Sequence, residues 1–172
     1  MVMQMVFQSY GVDQKHYDSQ VESTSYLMRF IKYRVPKENE INTALLPHTD
    51  KLFLAIVDQD EVEGLEIQTK DGEWIGIEHS PSTFVVVAGE PFMAWSNGRI
   101  YAPLHRVVIN GKVERYSIAL FSFVSEMVQP PEELVDDEHP LQFKPFDFFE
   151  FLQYCGEDGK NVKCPIRAFC GV

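Results

Sequence analysis

The sequence predicts a mainly β fold, a double-stranded β-helix of the jelly-roll, cupin-like type with flanking N-terminal and C-terminal helices. Short segments rich in β-branched and aromatic residues follow one another closely between residues 52 and 124. Tight turns separate several of these segments, and no long helix is predicted between them, which favours antiparallel over parallel pairing. The chain has 172 residues, of which 45% are hydrophobic, so it can form one packed core and one domain.

Residues 1–10 are mostly apolar and are predicted to be helical. Gly11 ends this helix, because glycine readily adopts the left-handed conformation that follows a helix C-terminus. The mainly polar residues 12–22 are predicted to be a linker. Residues 25–35 then have the β-branched and aromatic content of a strand, which a loop follows at Pro36.

Six further strands are predicted from apolar and β-branched content and from the turns between segments. They cover residues 52–57, 65–69, 73–77, 83–88, 104–109 and 113–124. Lys-Asp-Gly at 70–72 and Asn-Gly-Lys at 110–112 have the composition of tight turns. Each turn is therefore predicted to close a β-hairpin.

The β pattern ends at Pro130 and Pro131. Residues 132–140 are acidic and are predicted to form a short helix or a loop. Residues 146–154 have helical length and an apolar majority, which predicts a helix packed on the outside of the barrel.

Composition excludes several classes of partner. Lys and Arg total 15 against 26 Asp and Glu, a formal charge of -11, which disfavours nucleic acid and anionic membranes. No apolar run has the length of a membrane span, so a small-molecule ligand is expected, while the oligomeric state stays open. The three cysteines follow residue 154 without Cys-x-x-Cys spacing, which favours reduced thiols in a cytoplasmic protein over a disulfide in the tail.

A metal site is predicted from His48, Asp50 and His105. Because His48 and Asp50 are two residues apart, an extended backbone directs both side chains to one face. His105 begins a later strand that can lie beside this segment in an antiparallel barrel. Two imidazoles and one carboxylate occupy one face of an octahedral ion, the arrangement of non-haem Fe(II) oxygenases. The spacing alone also fits a surface His-Asp pair and an ordinary strand histidine.

An anion site is predicted on the last strand. Alternation places Arg115 and Ser117 on one face, together with a small residue, Ala119. Such residues pack poorly in a core, but Arg can bind a carboxylate through two parallel N–H bonds and Ser can add a third donor. A dicarboxylate could then reach from Arg115 to the metal. The alternative is an arginine that extends from the barrel edge into solvent.

With these motifs the sequence resembles the plant-type 2-oxoglutarate and Fe(II)-dependent dioxygenases. The C-terminal segment and the region around His48 are most similar to the AOP-like branch, named for glucosinolate side-chain oxidation. The resemblance runs from about Tyr26 to the C-terminus and rests on five ordered blocks. These are PHTD at 47–50, GLEIQTKDGEWI at 64–75, FVVVAGE at 84–90, SNGRIYAPLHRV at 96–107 and RYS at 115–117.

The resemblance implies that His48, Asp50 and His105 bind Fe(II), and that Arg115 and Ser117 bind the distal carboxylate of 2-oxoglutarate. Tyr33 matches the tyrosine of the family's Asn-x-Tyr motif and is implied as a further co-substrate contact. The implied activity is oxidation of a C–H bond in a small molecule, a plant secondary metabolite, with O2, 2-oxoglutarate and, as reductant, ascorbate. Succinate and CO2 are the implied co-products.

Family members are usually much longer than this chain, which resembles their C-terminal catalytic half. We therefore divide it into a remnant helix and linker (1–22), a jelly-roll domain (23–128) and a C-terminal helical extension (129–172). One alternative is a truncated, catalytically impaired barrel that binds metal or 2-oxoglutarate without turnover. Another is a cupin-like barrel that binds zinc or no metal and does not need Arg115.

Overall fold

The structure, a computed structural model, describes residues 1–125 and 127–172. Strands predominate in the middle of the chain, and α-helices lie towards its ends. The strands are β1 (Thr24–Tyr33), β2 (Thr43–His48), β3 (Leu54–Gln59), β4 (Leu65–Gln68), β5 (Trp74–Gly76), β6 (Val85–Ala88), β7 (His105–Val108), β8 (Arg115–Val124), β9 (Met127–Val128) and β10 (Phe146–Asp147). The α-helices are α1 (Val2–Ser9), α2 (Gln14–Glu22), α3 (Glu90–Trp95), α4 (Phe148–Gly156) and α5 (Pro165–Cys170).

Two antiparallel four-stranded sheets form the predicted jelly roll, with strand orders β1-β8-β3-β6 and β2-β7-β4-β5. Side chains alternate across β8, where Arg115, Ser117 and Ala119 are buried and Tyr116 and Ile118 are exposed. The buried series faces the space between the sheets. The mainly β prediction is confirmed, and the polar residues of the predicted anion site lie on this inner face.

One of the two predicted hairpins is correct. The turn at 70–72 joins β4 to β5, which pair directly. The hairpin predicted at 110–112 is wrong, because β7 and β8 belong to different sheets. Turn residues favour a reversal of the chain but do not choose the strand that pairs after it, and here the chain crosses to the other sheet.

The linker predicted over residues 12–22 is wrong in its second part, because Gln14–Glu22 is the helix α2. No residue of this helix is buried, so it lacks the apolar periodicity that predicts helices. Asp13 begins it by accepting a hydrogen bond from the backbone N–H of Lys15 at 2.9 Å. The predicted strands also omit β2. This strand contains Pro47 at the edge of its sheet, where the missing N–H disrupts no ladder.

The largest cluster of buried side chains lies between the terminal helices and one end of the strands. Phe7 of α1 stacks on Trp95 at 4.1 Å between ring centroids. The helix predicted at 146–154 is present as α4, where Asp147 caps the first turn and Phe148 and Phe151 are buried. Phe148 lies 6.1 Å from Phe123 of β8 between ring centroids, and this contact joins α4 to the barrel.

The outer face of β1 is exposed to solvent. Tyr26, Met28 and Phe30 are 55%, 55% and 76% exposed, and they alternate with inward-facing residues of the same strand. Within the described residues, no helix is long and apolar enough to cross a membrane. Cys155, Cys164 and Cys170 are free thiols.

Candidate metal centre and anion pocket

Pairing of β2 with β7 brings the two candidate histidines together. His48 is the last residue of β2, His105 is the first of β7, and the two lie opposite each other in the register. Asp50 follows two residues after His48. One nitrogen or oxygen atom from each of the three side chains lies within 4.8 Å of the others, so together they could hold a metal ion.

The donor atoms face one another. The Oδ1 atom of Asp50 is 3.7 Å from the Nε2 atoms of both His48 and His105. Nδ1–H of His48 donates to the carbonyl oxygen of Leu46 at 2.9 Å, and Nδ1–H of His105 donates to that of Pro103 at 3.1 Å. Because these bonds occupy Nδ1, the lone pair of each Nε2 is directed at the ion position, as in many protein metal sites.

The surroundings of His48 favour its neutral imidazole form. Burial lowers the pKa of His48, and the neighbouring His105 lowers it further. A neutral ring is the form that binds a metal. The donor set of two imidazoles and one carboxylate therefore fits a divalent first-row ion such as Fe(II).

Arg115 is buried inside the barrel with a relative exposure of 1%. Its Nη2 atom donates to Oε1 of Gln59 at 2.9 Å, and its guanidinium lies 5.3 Å from the centroid of the Tyr33 ring. Its Nε is buried without a hydrogen-bond partner, and no described carboxylate forms an ion pair with it. A buried guanidinium with an unsatisfied N–H fits an anionic ligand and excludes the solvent-extended alternative.

One cavity of about 80 Å³ joins the two groups of residues. It lies between the two sheets and has an apolar wall. Its lining includes all six predicted site residues, His48, Asp50, His105, Arg115, Ser117 and Tyr33. Burial raises the pKa of Tyr33, so its hydroxyl stays protonated and can donate a hydrogen bond within the cavity.

Gln59 and Gly64 contact the Arg115 side chain, although neither was predicted as a site residue. The Gln59 side chain is held at both ends, because its Nε2 also donates to the carbonyl oxygen of Ile77 at 3.0 Å. A Cβ atom on Gly64 would lie 2.6 Å from the carbonyl oxygen of Val108 and 3.2 Å from Cδ of Arg115. Alternation along β3 could have placed Gln59 on the inner face, whereas nothing in the sequence indicates how closely Gly64 packs.

Gly89 and Glu90 support the loop that carries Asp50. The backbone N–H of Glu90 donates to the carbonyl oxygen of Asp50 at 2.9 Å. The Glu90 carboxylate, 1% exposed, accepts hydrogen bonds from Lys51 at 2.6 Å and from the backbone N–H of Ile166 at 3.0 Å. The carboxylate therefore ties the metal-site loop to the start of α5.

The large apolar side chains near the site are divided between the core and an open cavity. Trp95 and Met93 are buried in the main core. The outward-facing Phe30 borders an open cavity beside the triad, and Phe123 lines the same cavity.

The fold and the site together define a jelly-roll protein in which a candidate metal triad of two histidines and one carboxylate lies beside a buried, incompletely paired arginine. Residues 14–124 match the model of the 2OG-Fe(II) oxygenase superfamily. The chain belongs to this superfamily, whose members use Fe(II) and 2-oxoglutarate.

Similar proteins include two from Arabidopsis thaliana. The probable 2-oxoglutarate-dependent dioxygenase AOP1 is 41% identical over 160 residues, which are 90% of this chain and 53% of that protein. The 2-oxoglutarate-dependent dioxygenase AOP3 is 44% identical over 142 residues, 79% of this chain and 35% of that protein. The chain spans about half or less of these curated relatives, and its predicted likeness to the AOP-like branch is confirmed.

The fold is also similar to that of a solved enzyme. The crystal structure of the dioxygenase for auxin oxidation from rice matches this chain with a TM-score of 0.87 and 28% sequence identity. The match covers 98% of this chain and 57% of the rice chain.

Proposed function

We propose that this chain is the catalytic barrel of a 2-oxoglutarate- and Fe(II)-dependent dioxygenase that oxidises a C–H bond of a small molecule. The observation that carries the proposal is the single cavity lined by the metal triad and by the buried, incompletely paired Arg115. A dicarboxylate that binds both ends of this cavity satisfies both groups. Homology to AOP-type dioxygenases supports the same assignment.

In this proposal the side chains of His48, Asp50 and His105 would hold Fe(II). The bonds from Nδ1 to backbone carbonyls keep both rings oriented. The bound iron supplies the chemistry, activation of O2 coupled to decarboxylation of 2-oxoglutarate to succinate and CO2, with ascorbate as reductant.

Arg115, Ser117 and Tyr33 bind the distal carboxylate of the co-substrate. The Arg115 guanidinium stays charged although burial lowers its pKa, because arginine is not deprotonated in proteins. Inside the barrel, little water competes for the N–H donors of Arg115. Its hydrogen bonds therefore orient the co-substrate towards the triad. The apolar wall keeps bulk water away from this end.

The chain of residues 1–172 should convert 2-oxoglutarate to succinate without an added substrate, when supplied with Fe(II), O2 and ascorbate. Arg115→Ala should abolish 2-oxoglutarate binding and retain metal binding. Lys15→Gln, an exposed change in α2, is the matched loss of one positive charge and should leave both unchanged. Failure of intact protein to bind Fe(II) or 2-oxoglutarate would disprove the assignment.

A second candidate is a truncated barrel that binds the metal and 2-oxoglutarate without turnover. The observation that favours it is the open cavity beside the triad, which leaves His48 and Asp50 accessible to water. Binding of both ligands without succinate formation would identify it.

The prime substrate is proposed to be a small molecule of secondary metabolism, with no nucleic-acid or membrane partner. The rice relative is named for oxidation of auxin.

The acidic composition and free thiols support a cytoplasmic location. The division of the chain at residues 22 and 128 belongs to the same proposal, since α4 and α5 follow the barrel.

A further inference from the structure

We propose that the substrate oxidised at this site carries a carboxylate or a similar oxyanion, and that Arg29 binds it. This inference rests on the proposed function, since it concerns the substrate of the same metal centre. It is argued from an open cavity beside the triad, here called the mouth cavity, whose volume is about 680 Å³. Cavities of this size hold small organic molecules.

The mouth cavity reaches the metal centre. His48 and Asp50 line it, together with Phe121 of β8 and Leu152 of α4. His48 and Asp50 also line the smaller cavity that contains Arg115. A molecule in the mouth cavity therefore approaches the triad while the smaller cavity holds the co-substrate.

Several basic side chains line the mouth cavity of this acidic protein. Its basic lining residues are Arg29, Lys32 and Lys51, and Asp50 is its acidic one. The chain as a whole has 26 acidic and 15 basic residues. A basic side chain in this lining that has no carboxylate partner of its own would attract an anionic ligand.

Arg29 is the basic residue of this lining that is free to bind a ligand. Lys51 is 2.6 Å from the Glu90 carboxylate, and Lys32 is 2.8 Å from Glu114. Arg29 forms no hydrogen bond or ion pair with any residue that the structure describes. Its guanidinium lies 5.5 Å from the centroid of the Phe121 ring, a contact that orients the group and leaves its N–H donors available.

Strand geometry separates Arg29 from the site proposed for the distal carboxylate of the co-substrate. Arg29, like Tyr33, is on the inner face of β1, and their partners on β8 are Ala119 and Arg115. Four residues of a strand span about 13 Å, so Arg29 is well separated from the distal carboxylate site. When the oxyanion of a substrate binds Arg29, the apolar part of the same molecule can lie along the Phe121 ring towards the triad.

The test compares acids with neutral molecules of the same shape. The probes are phenylacetate, 3-phenylpropanoate and 4-phenylbutanoate, each paired with its primary amide. Affinities are measured by calorimetry on the full chain loaded with redox-inert Zn(II) and saturated with 2-oxoglutarate. At least one acid should bind about tenfold or more tightly than its amide, because a charge-assisted hydrogen bond replaces a neutral one.

Variants connect this preference to Arg29. Arg29→Gln should weaken the binding of the acid about tenfold or more and should change the affinity for the amide little, so the preference should disappear. Arg34→Gln is the matched control, since Arg34 lies beyond the end of β1, is paired with Glu40 and is absent from the cavity lining. It should retain the full preference. A preference that survives Arg29→Gln would overturn the proposal.

The outcomes separate this inference from the proposed function. Wild-type protein that forms succinate but binds no acid more tightly than its amide would overturn the role of Arg29 alone. Wild-type protein that binds neither metal nor 2-oxoglutarate would overturn the proposed function as well.

Discussion

Gln59 positions Arg115 from inside the barrel, with Oε1 of the amide 2.9 Å from Nη2 of the guanidinium. Both side chains are buried, and the bond from Gln59 to the carbonyl oxygen of Ile77 fixes which end of the amide faces Arg115. A neutral acceptor holds the cation without cancelling its charge. The guanidinium is therefore oriented and still able to bind an anion.

Changes at Gln59 should alter 2-oxoglutarate affinity without altering metal affinity. Gln59→Leu should weaken 2-oxoglutarate binding about tenfold, since a bond to a charged group contributes roughly 1.5–3 kcal/mol. Gln59→Glu should weaken it further, because the carboxylate pairs with Arg115 and competes with the ligand. Calorimetric titration of both ligands measures this.

The control for Gln59 is Gln153→Leu, which removes an exposed amide from α4. It should bind 2-oxoglutarate as tightly as the wild type. Unchanged affinity in both Gln59 variants would show that Arg115 is held adequately by its other contacts.

Asp50→Ala and His105→Ala should abolish metal binding, because each removes one of three donors. A divalent ion at about 100 times its Kd should stabilise wild-type protein by about 2.7 kcal/mol and raise its Tm. Neither variant should show this rise. Thermal unfolding with and without Fe(II), under anaerobic conditions, measures the difference.

His139→Ala provides the matched histidine control, since His139 is exposed and hydrogen-bonded to Asp136 away from the triad. Its metal-dependent rise in Tm should equal that of the wild type. An equal rise in Asp50→Ala would instead place the ion elsewhere.

Gly89→Ala should destabilise the fold by roughly 3 kcal/mol or more. A Cβ atom there would meet the carbonyl oxygen of Leu52 at 1.6 Å and that of Asp50 at 3.1 Å, so the backbone must move. Metal affinity should fall as well, because this backbone carries a ligand. Urea unfolding and metal titration measure the two effects.

Gly76→Ala is the corresponding control, because a Cβ at that position meets no atom within 4 Å. It should unfold within about 1 kcal/mol of the wild type. Similar stability losses in the two variants would contradict the packing argument.

The thiols of Cys155, which is half-buried, and Cys170, which is buried, should react slowly. Burial raises the pKa of Cys155 to about 11 and that of Cys170 to about 12. Since the thiolate is the nucleophile, alkylation of native protein by iodoacetamide should be slow at about pH 8 and should accelerate as the pH rises towards these values. Mass spectrometry of each cysteine follows the rates.

Unfolded protein in urea provides the comparison for the thiols. Its cysteines should react at the rate of an ordinary exposed thiol, whose pKa is about 8.5. Equal rates for Cys155 and Cys170 in native and unfolded protein would show that burial does not protect them.

The candidate site was largely predictable because its residues obey short-range rules. Two-residue spacing put His48 and Asp50 on one face, and strand alternation put Arg115 and Ser117 together on another. The residues that support the site were not predictable in the same way. Gly89 depends on an approach to a distant carbonyl, and the role of Gln59 depends on which strand lies beside β3.

The strands and helices were likewise predictable only where their own residues form a periodic pattern. A strand with regular alternation, such as β8, is recognisable from its own residues. The helix α2, which buries no side chain, and β2, which is irregular in its pairing, lack a periodic pattern that would predict them. The turn at 110–112 indicates a reversal, while the sheet that receives the next strand depends on packing across the barrel.

By itself, the sequence determined a mainly β chain, because strand periodicity is carried by neighbouring residues. Side-chain chemistry and the family resemblance also predicted candidate metal donors and candidate anion-binding residues. The tertiary structure decided that the donors meet at one point, that Arg115 is buried with an unsatisfied N–H, and that Arg29 faces the same opening. These facts depend on contacts between residues far apart in the chain. Local sequence rules do not encode such distances, because they result from how the two sheets pack.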